Sequence, residues 1–379
     1  YPITFIGRIS YSLYLWHWPV IVFYKLYADI DRIKSPSQYI TIVFITFTLS
    51  LLSYYLVETP ARKSKKNTCF SIKFFYMTPL LLVFSLYLIQ TRTEIIKKFR
   101  GNELIHRTWV GGESGFLFLG DAYDKTIRKL ELKITPSKDD ITSTVNDFNN
   151  ITSVASKLSV ATALFIGPNK SSIYSSKLPA SIKKTNVRYI DSYIEALSKN
   201  KDLIVYDPTN ELIKESKLTS DILYYRTDTH WNSKGAYIAY NDFLKKLGFP
   251  RLNISFKNEE KKPGDLISIS KISNFKLYNG DNFSPIINTK NITCNDVFEA
   301  RDPFGVIQNC FNPNAPVNKR VWIIGDSFNG ALRVYFKETF KEVDFLGHWS
   351  KQLDLLPKKL SDSKIKPDMI VIIRVERSF

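Results

Sequence analysis

The residue best placed to attack a substrate is Ser327, in Ile324-Gly325-Asp326-Ser327-Phe328, directly after an apolar run and ahead of a helical pattern. A serine at such a strand-to-helix turn lies at the carboxyl edge of a sheet, where open α/β folds bind ligands. The helix that follows offers unpaired N–H groups and a positive dipole end, which suit an oxyanion. A serine hydroxyl needs a base. Of the four histidines, His230 is the best candidate, in Arg226-Thr227-Asp228-Thr229-His230-Trp231. Asp228 and His230 are two apart, so in an extended or turn segment both can face the same way. The carboxylate can then hold the second imidazole nitrogen. Each part has a plainer reading alone: Ser327 as a helix cap, Asp228 as a capping residue beside a surface histidine. Together they fit nucleophilic catalysis with an orienting acid. The backbone N–H of Ser327 or Phe328 is the default oxyanion donor. Gly120-Asp121-Ala122 mimics the serine turn but lacks the hydroxyl, so Asp121 reads as a turn or cap residue. The three cysteines and four histidines show no metal-ligand spacing, so no metal is expected.

The elements that must position these residues read as follows. Strands are expected at 115–120, 160–167, 187–190, 203–206, 320–325 and 369–373, with helices at 140–158, 191–197, 235–247 and 330–340. Short apolar strands alternating with helices predict an α/β domain with a mainly parallel sheet covered on both faces. The segment 253–314 is polar and reads as a loop-rich insertion. Within it, Cys294 and Cys310 either close a local disulfide in an oxidising compartment or remain buried thiols.

The first 90 residues differ in kind. Three apolar, aromatic-rich runs, at about 9–27, 39–57 and 74–90, each approach the ~20 residues that cross ~30 Å of hydrocarbon. They predict three N-terminal transmembrane helices, followed by a connector at 91–110 and a domain at 111–379. Arg62-Lys63-Ser64-Lys65-Lys66 is the densest basic cluster near the membrane, so that loop is expected inside and everything after about Thr91 outside. His17, within the first run, reads as an interfacial side chain. The chain begins at Tyr1 almost directly on an apolar run, which reads as a fragment of a longer protein. The formal net charge is +17. That suits nucleic acid, anionic lipid or an acidic glycan; no nucleic-acid motif accompanies it, and nucleic acid is set aside.

Two resemblances sharpen this reading. The segment 225–236, around Asp228-Thr229-His230-Trp231, resembles the Asp-x-His-Trp motif of AlgX/AlgJ-type SGNH-hydrolase-like domains, in which the Asp-x-His pair also precedes the nucleophilic serine. Pro168-Asn169-Lys170 with Tyr174 and Pro179, and the terminal Arg374-Val375-Glu376-Arg377, resemble further segments of that family. The resemblance implies Ser327 as nucleophile, His230 as base and Asp228 as its orienting partner, with Asn169, Lys170 and Arg226 as substrate-binding candidates. Residues 7–19 and 53–62 resemble late spans of the acyltransferase 3 (OafA-like) family. Together these imply an O-acetyltransferase acting on a cell-surface glycan, O-antigen or another polysaccharide, through an acetyl-serine. They imply a multi-pass inner-membrane protein with its C-terminal domain in the periplasm or extracytoplasmic space. No cofactor is expected on this chain, with acetyl-CoA as ultimate donor through an upstream membrane module; the expected partners are the glycan acceptor and membrane lipid. A carbohydrate acetyl esterase and a non-catalytic glycan-binding module are the alternatives.

Overall fold

The computed structural model describes residues 2–28, 35–59, 105–272, 275–287, 291–297, 305–348, 350 and 353–379. The chain divides into two compact units, Tyr1–Ile96 and Lys97–Phe379.

In the first unit, α1 spans Pro2–Ala28 and α2 spans Pro36–Ser53, with a π-helical turn at Tyr54–Glu58. Helix α2 starts on a capping box: Ser35 accepts from the Ser37 N–H, and the Ser35 N–H donates to Gln38 Oε1. Large apolar side chains on α2, including Ile40, Val43 and Phe44, stand exposed. Among the described residues, α2 is the one helix long and apolar enough to cross a membrane. The expectation of three spans is corrected accordingly. The first run does form a long helix, but its Tyr, Trp and His content keeps its mean hydropathy below that of α2. The third run lies outside the described residues.

The second unit holds β1 Trp109–Gly111, β2 Leu117–Leu119, α3 Thr126–Leu130, α4 Lys138–Lys157, β3 Ala161–Gly167, α5 Lys170–Ile173, α6 Asp191–Leu197, β4 Leu203–Tyr206, α7 Thr209–Leu218 and α8 Ser233–Leu247. It continues with β5 Ser255–Asn258, α9 Asp265–Ser270, β6 Phe283–Ile286, β7 Thr293–Asp296, β8 Val306–Phe311, β9 Val317–Gly325, α10 Asn329–Thr339, β10 Phe340–Leu346, α11 Leu356–Asp362 and β11 Met369–Val375. Seven strands form one sheet in the order β4-β3-β11-β9-β10-β8-β7. The pairs from β4 to β10 are parallel, and β8 and β7 run antiparallel at one edge.

Alternation decides the two cores. Phe165, Val371, Ile373, Val321 and Ile323 face one side, against Ala236, Tyr240 and Phe243 of α8 and Leu332 and Phe336 of α10. Their neighbours Leu164, Ile166, Ile370, Ile372 and Ile324 face the other, against Phe148 and Ile151 of α4, Tyr193 of α6 and Leu356 of α11. Helices thus cover both faces.

Three readings from sequence are corrected. The sheet is mixed rather than mainly parallel, because the segment taken as a loop-rich insertion contributes β7 and β8. That polar segment forms strands at the sheet margin, where β7 is held by its backbone ladder to β8 and by the Cys294–Cys310 link rather than by a buried face. Residues 187–190 form a turn rather than a strand; the Arg188 N–H is held by the Asp191 carboxylate at 2.7 Å, which bends the chain into α6. The run at 115–120 gives β2, which pairs with β1 in a separate ladder. Cys294 and Cys310 are directly opposed on β7 and β8 and are joined as a disulfide.

Candidate active site

Ser327 follows β9, an interior strand of the sheet, and precedes α10. The turn is tight: a Cβ on Gly325 would meet the Asn329 Cβ at 2.7 Å and the Ile373 Cβ at 3.2 Å, so only glycine fits. Asp326 pins the turn to the end of β11. Its Oδ1 accepts from the Phe328 N–H at 2.9 Å, and its Oδ2 accepts from the Val375 N–H at 2.7 Å. This separates the two N–H groups that the sequence offered as oxyanion donors. The Phe328 N–H is already committed to Asp326. The Ser327 N–H has no partner among the described residues, so of the two it is the one still able to donate.

His230 arrives on the segment between α7 and α8. Tyr224 and Trp231 bridge across its base, and the Tyr225 N–H donates to the His230 carbonyl at 3.3 Å, leaving residues 226–229 as the tip. Asp228 Oδ1 takes both the His230 backbone N–H (3.0 Å) and the ring Nδ1–H (2.6 Å). A carboxylate only accepts, so this contact puts the ring proton on Nδ1. Nε2 is then left as the acceptor for the Ser327 hydroxyl, at 2.7 Å. Trp231 ties the two halves together. It is fully buried, donates its indole N–H to the Phe328 carbonyl at 3.1 Å and packs edge-on against the Phe328 ring. The three residues picked from sequence, 97 positions apart at the extremes of the His–Ser contact, therefore form one continuous hydrogen-bonded chain.

Burial opposes the Asp228 charge, but the hydrogen bond and charge of His230, with the Asp265 and His230 backbone N–H groups, hold its carboxyl down to about 2. It stays ionised at neutral pH and can stabilise an imidazolium.

The other candidates lie around this turn in different roles. Lys170 is buried, and its ammonium donates to the carbonyls of Tyr225 (2.9 Å), Arg226 (2.9 Å) and Asp228 (2.6 Å). Burial pulls it down to about 7, against the pull of Asp228, Asp265 and Asp281. Its three acceptors use all three protons of the charged form. Asn169 is also buried; its N–H donates to Glu376 Oε2 at 2.7 Å. The fully buried Glu376 is pushed up by burial, against Arg188, and also accepts from the Ser172 hydroxyl. The Arg226 guanidinium lies between the rings of Phe116 and Tyr278 and donates to the Asn279 carbonyl at 3.0 Å.

Sequence reasoning missed Asp265. Its Oδ1 accepts from the Thr229 N–H (2.8 Å), its Oδ2 accepts from the Thr229 hydroxyl (2.6 Å), and its own N–H donates to Asp228 Oδ2 (3.0 Å). With Asp228 and His230 it places three ligand-type groups within 4.8 Å of one another. Their atoms are engaged by each other and by Thr229. The close approach passes through Gly264, whose Cβ position would meet the Thr227 carbonyl oxygen at 2.4 Å.

This unit is a mixed α/β domain whose Ser-His-Asp chain of hydrogen bonds joins two distant segments. Residues 110–282 match the family model described as "SGNH hydrolase-like domain, acetyltransferase AlgX". That stretch includes Asp228, His230 and Asp265 and ends before Ser327. Among solved structures, PatB1 of Bacillus cereus with a sulfonyl adduct shares the fold, with a TM-score of 0.51 at 16% identity over 73% of this chain and 96% of that one. Among curated proteins, O-acetyltransferase OatA of Staphylococcus aureus (strain NCTC 8325 / PS 47) is 44% identical over 62 residues, 16% of this chain and 10% of the relative. Peptidoglycan O-acetyltransferase OatA of Listeria monocytogenes is 37% identical over 65 residues, 17% of this chain and 10% of the relative. The chain thus matches about a tenth of the length of these curated relatives.

Proposed function

We propose that this protein is an O-acetyltransferase that acetylates hydroxyls of a cell-surface glycan, a polysaccharide or peptidoglycan, through an acetyl-serine on Ser327. The observation that carries this reading is the unbroken Asp228–His230–Ser327 chain, with contacts of 2.6 and 2.7 Å. The Ser327 oxygen attacks the carbonyl carbon of an acetyl ester or thioester as its proton passes to His230 Nε2. The tetrahedral oxyanion forms against the Ser327 N–H. The bond to the carrier breaks, and the carrier leaves with the proton from His230. A sugar hydroxyl then attacks the acetyl-serine and gives its proton to His230. The Ser327 oxygen leaves and recovers that proton, so the base is regenerated in each half-reaction. The acetyl group derives ultimately from acetyl-CoA through membrane-embedded segments. The second unit works on the extracytoplasmic side of the cell membrane, and α2 is a membrane span. The acceptor class is supported by the names of the relatives, and the acetyl group by those names and the family model. The exposed apolar side chains of α2, among them Ile40, Val43, Phe44 and Phe47, support the membrane setting.

Ser327→Ala should abolish glycan acetylation in cells that express the protein, measured by base-released acetate from the isolated glycan. Full acetylation by that variant would sink the assignment. Net loss of acetate from pre-acetylated glycan, dependent on Ser327, would instead identify an esterase.

A further inference from the structure

We infer that Asp265 is a positioning residue for the reaction. It holds the Thr227–Thr229 tip so that Asp228 presents Oδ1, and through it His230, to Ser327. The inference rests on the reading of Ser327 as a nucleophile.

The tip carrying the base is a bend outside any regular element, so its own backbone does not fix it. Two clamps do. From one side Lys170 holds the carbonyls of Tyr225 and Arg226, which lead into it, and of Asp228 within it. From the other, the start of α9 lies along it. The Gly264 N–H donates to Thr227 Oγ1 (3.1 Å), the Asp265 N–H to Asp228 Oδ2 (3.0 Å), and the Leu266 N–H to the Thr227 carbonyl (3.1 Å). The Asp265 carboxylate then grips Thr229 by its N–H and its hydroxyl. Asp228 is thereby held by Oδ2, which leaves Oδ1 for the imidazole. The close approach requires Gly264, where a Cβ would lie 2.4 Å from the Thr227 oxygen and 2.5 Å from the Asp228 Cβ.

Asp265 Oδ2 also lies 3.8 Å from His230 Nδ1, too far to compete with Asp228 at 2.6 Å for the ring proton. Its side chain is 36% exposed, so water screens its charge. Geometry therefore outweighs charge as its contribution, and the two can be separated. Asn in place of Asp265 still accepts from the Thr229 N–H and can donate to the Thr229 hydroxyl, whereas Ala does neither.

The test uses the full chain in detergent and 4-nitrophenyl acetate as surrogate donor, with the rate of Ser327 sulfonylation by phenylmethanesulfonyl fluoride as a second readout. Asp265→Ala should lower kcat by about 100-fold with KM unchanged, the size expected for a misplacement near 1 Å. Sulfonylation should slow in parallel. Asp265→Asn should recover most of that loss, to within about fivefold of wild type. Wild-type kcat in Asp265→Ala overturns the inference, as does a loss carried by KM. Equal losses in Ala and Asn overturn it in favour of a charge effect. If Asp265→Ala fails to fold by thermal melt, Thr229→Val decides: a kcat lower by about tenfold supports the clamp, and an unchanged kcat overturns it. Turnover and labelling that persist in Ser327→Ala would instead sink the nucleophile reading and leave no clamp to speak of.

Discussion

Asp228→Asn tests the triad most directly, because the structure shows what each carboxylate oxygen does. Oδ1 receives two donors, both from His230, and Oδ2 receives one, from the Asp265 N–H. An asparagine can satisfy only one side with its carbonyl oxygen. The side with two donors is favoured, so the ring proton stays on Nδ1 and the amide nitrogen opposes the Asp265 N–H. What is lost is charge. The Asp228 carboxyl lies at about 2 rather than 3.8 even though burial pushes it up. The net preference for the ionised form beside His230 is therefore about 2–3 kcal/mol, at about 1.4 kcal/mol for each tenfold in acidity. The hydrogen bond and charge of His230 supply part of that preference, beside the two backbone N–H groups and against burial, and that part supports the imidazolium formed as Ser327 attacks. Its removal should lower kcat roughly 50-fold or more, with little change in KM. Asp228→Ala, which also frees the ring to rotate, should lose more. The assay is burst and steady-state hydrolysis of 4-nitrophenyl acetate at a fixed pH near 8, with Ser327→Ala as the zero. An Asp228→Asn protein within about threefold of wild type would refute the argument that this carboxylate supports a charged His230. The same depressed acidity makes a stability statement. The contribution of Asp228 is present above 3.8 and is lost as pH falls towards about 2.

Two further outcomes are expected. Lys170 is lowered from 10.5 to about 7, so between those values the unfolded chain binds the extra proton and stability rises with pH. Lys170→Met should remove that slope. The wild type should gain on the variant by up to about 1.4 kcal/mol per pH unit in urea melts from pH 7 to 10, and parallel profiles would show that the three carbonyls keep the ammonium charged throughout. Replacing Cys294 and Cys310 with alanine opens a link spanning 16 positions, which should cost about 3 kcal/mol in a thermal or urea melt while sparing ester hydrolysis. Loss of turnover in the folded variant would mean that the β7–β8 edge communicates with the triad.

The sequence by itself determined the candidate site residues and the central fold. Ser327 was legible as a candidate because an apolar strand ending in Gly-Asp-Ser before a helix sets a hydroxyl at the sheet edge, and the Asp-x-His pair elsewhere in the chain tipped it away from a plain helix cap. Asp228 and His230 were legible because the orienting acid and the base lie two residues apart, within reach of local reasoning. The buried strands β3, β4, β9 and β11 were legible because strands covered on both faces must be apolar throughout, and such runs stand out in any reading of the chain. The antiparallel edge was not, since an edge strand such as β7 has exposed side chains and carries no apolar run.

Only the tertiary structure decided how the site is held. That Phe328 gives its N–H to Asp326, that Trp231 bonds the Phe328 carbonyl, and that Lys170 gathers three carbonyls are backbone contacts, and composition does not encode a backbone partner. Asp265 lies 37 residues from Asp228 in a segment whose polarity read as loop, and its role arises from where α9 begins against the tip. Side-chain type and spacing announce which groups can react. Which of them are free to do so, and what keeps them still, depends on hydrogen bonds that form only once distant stretches of chain are packed together.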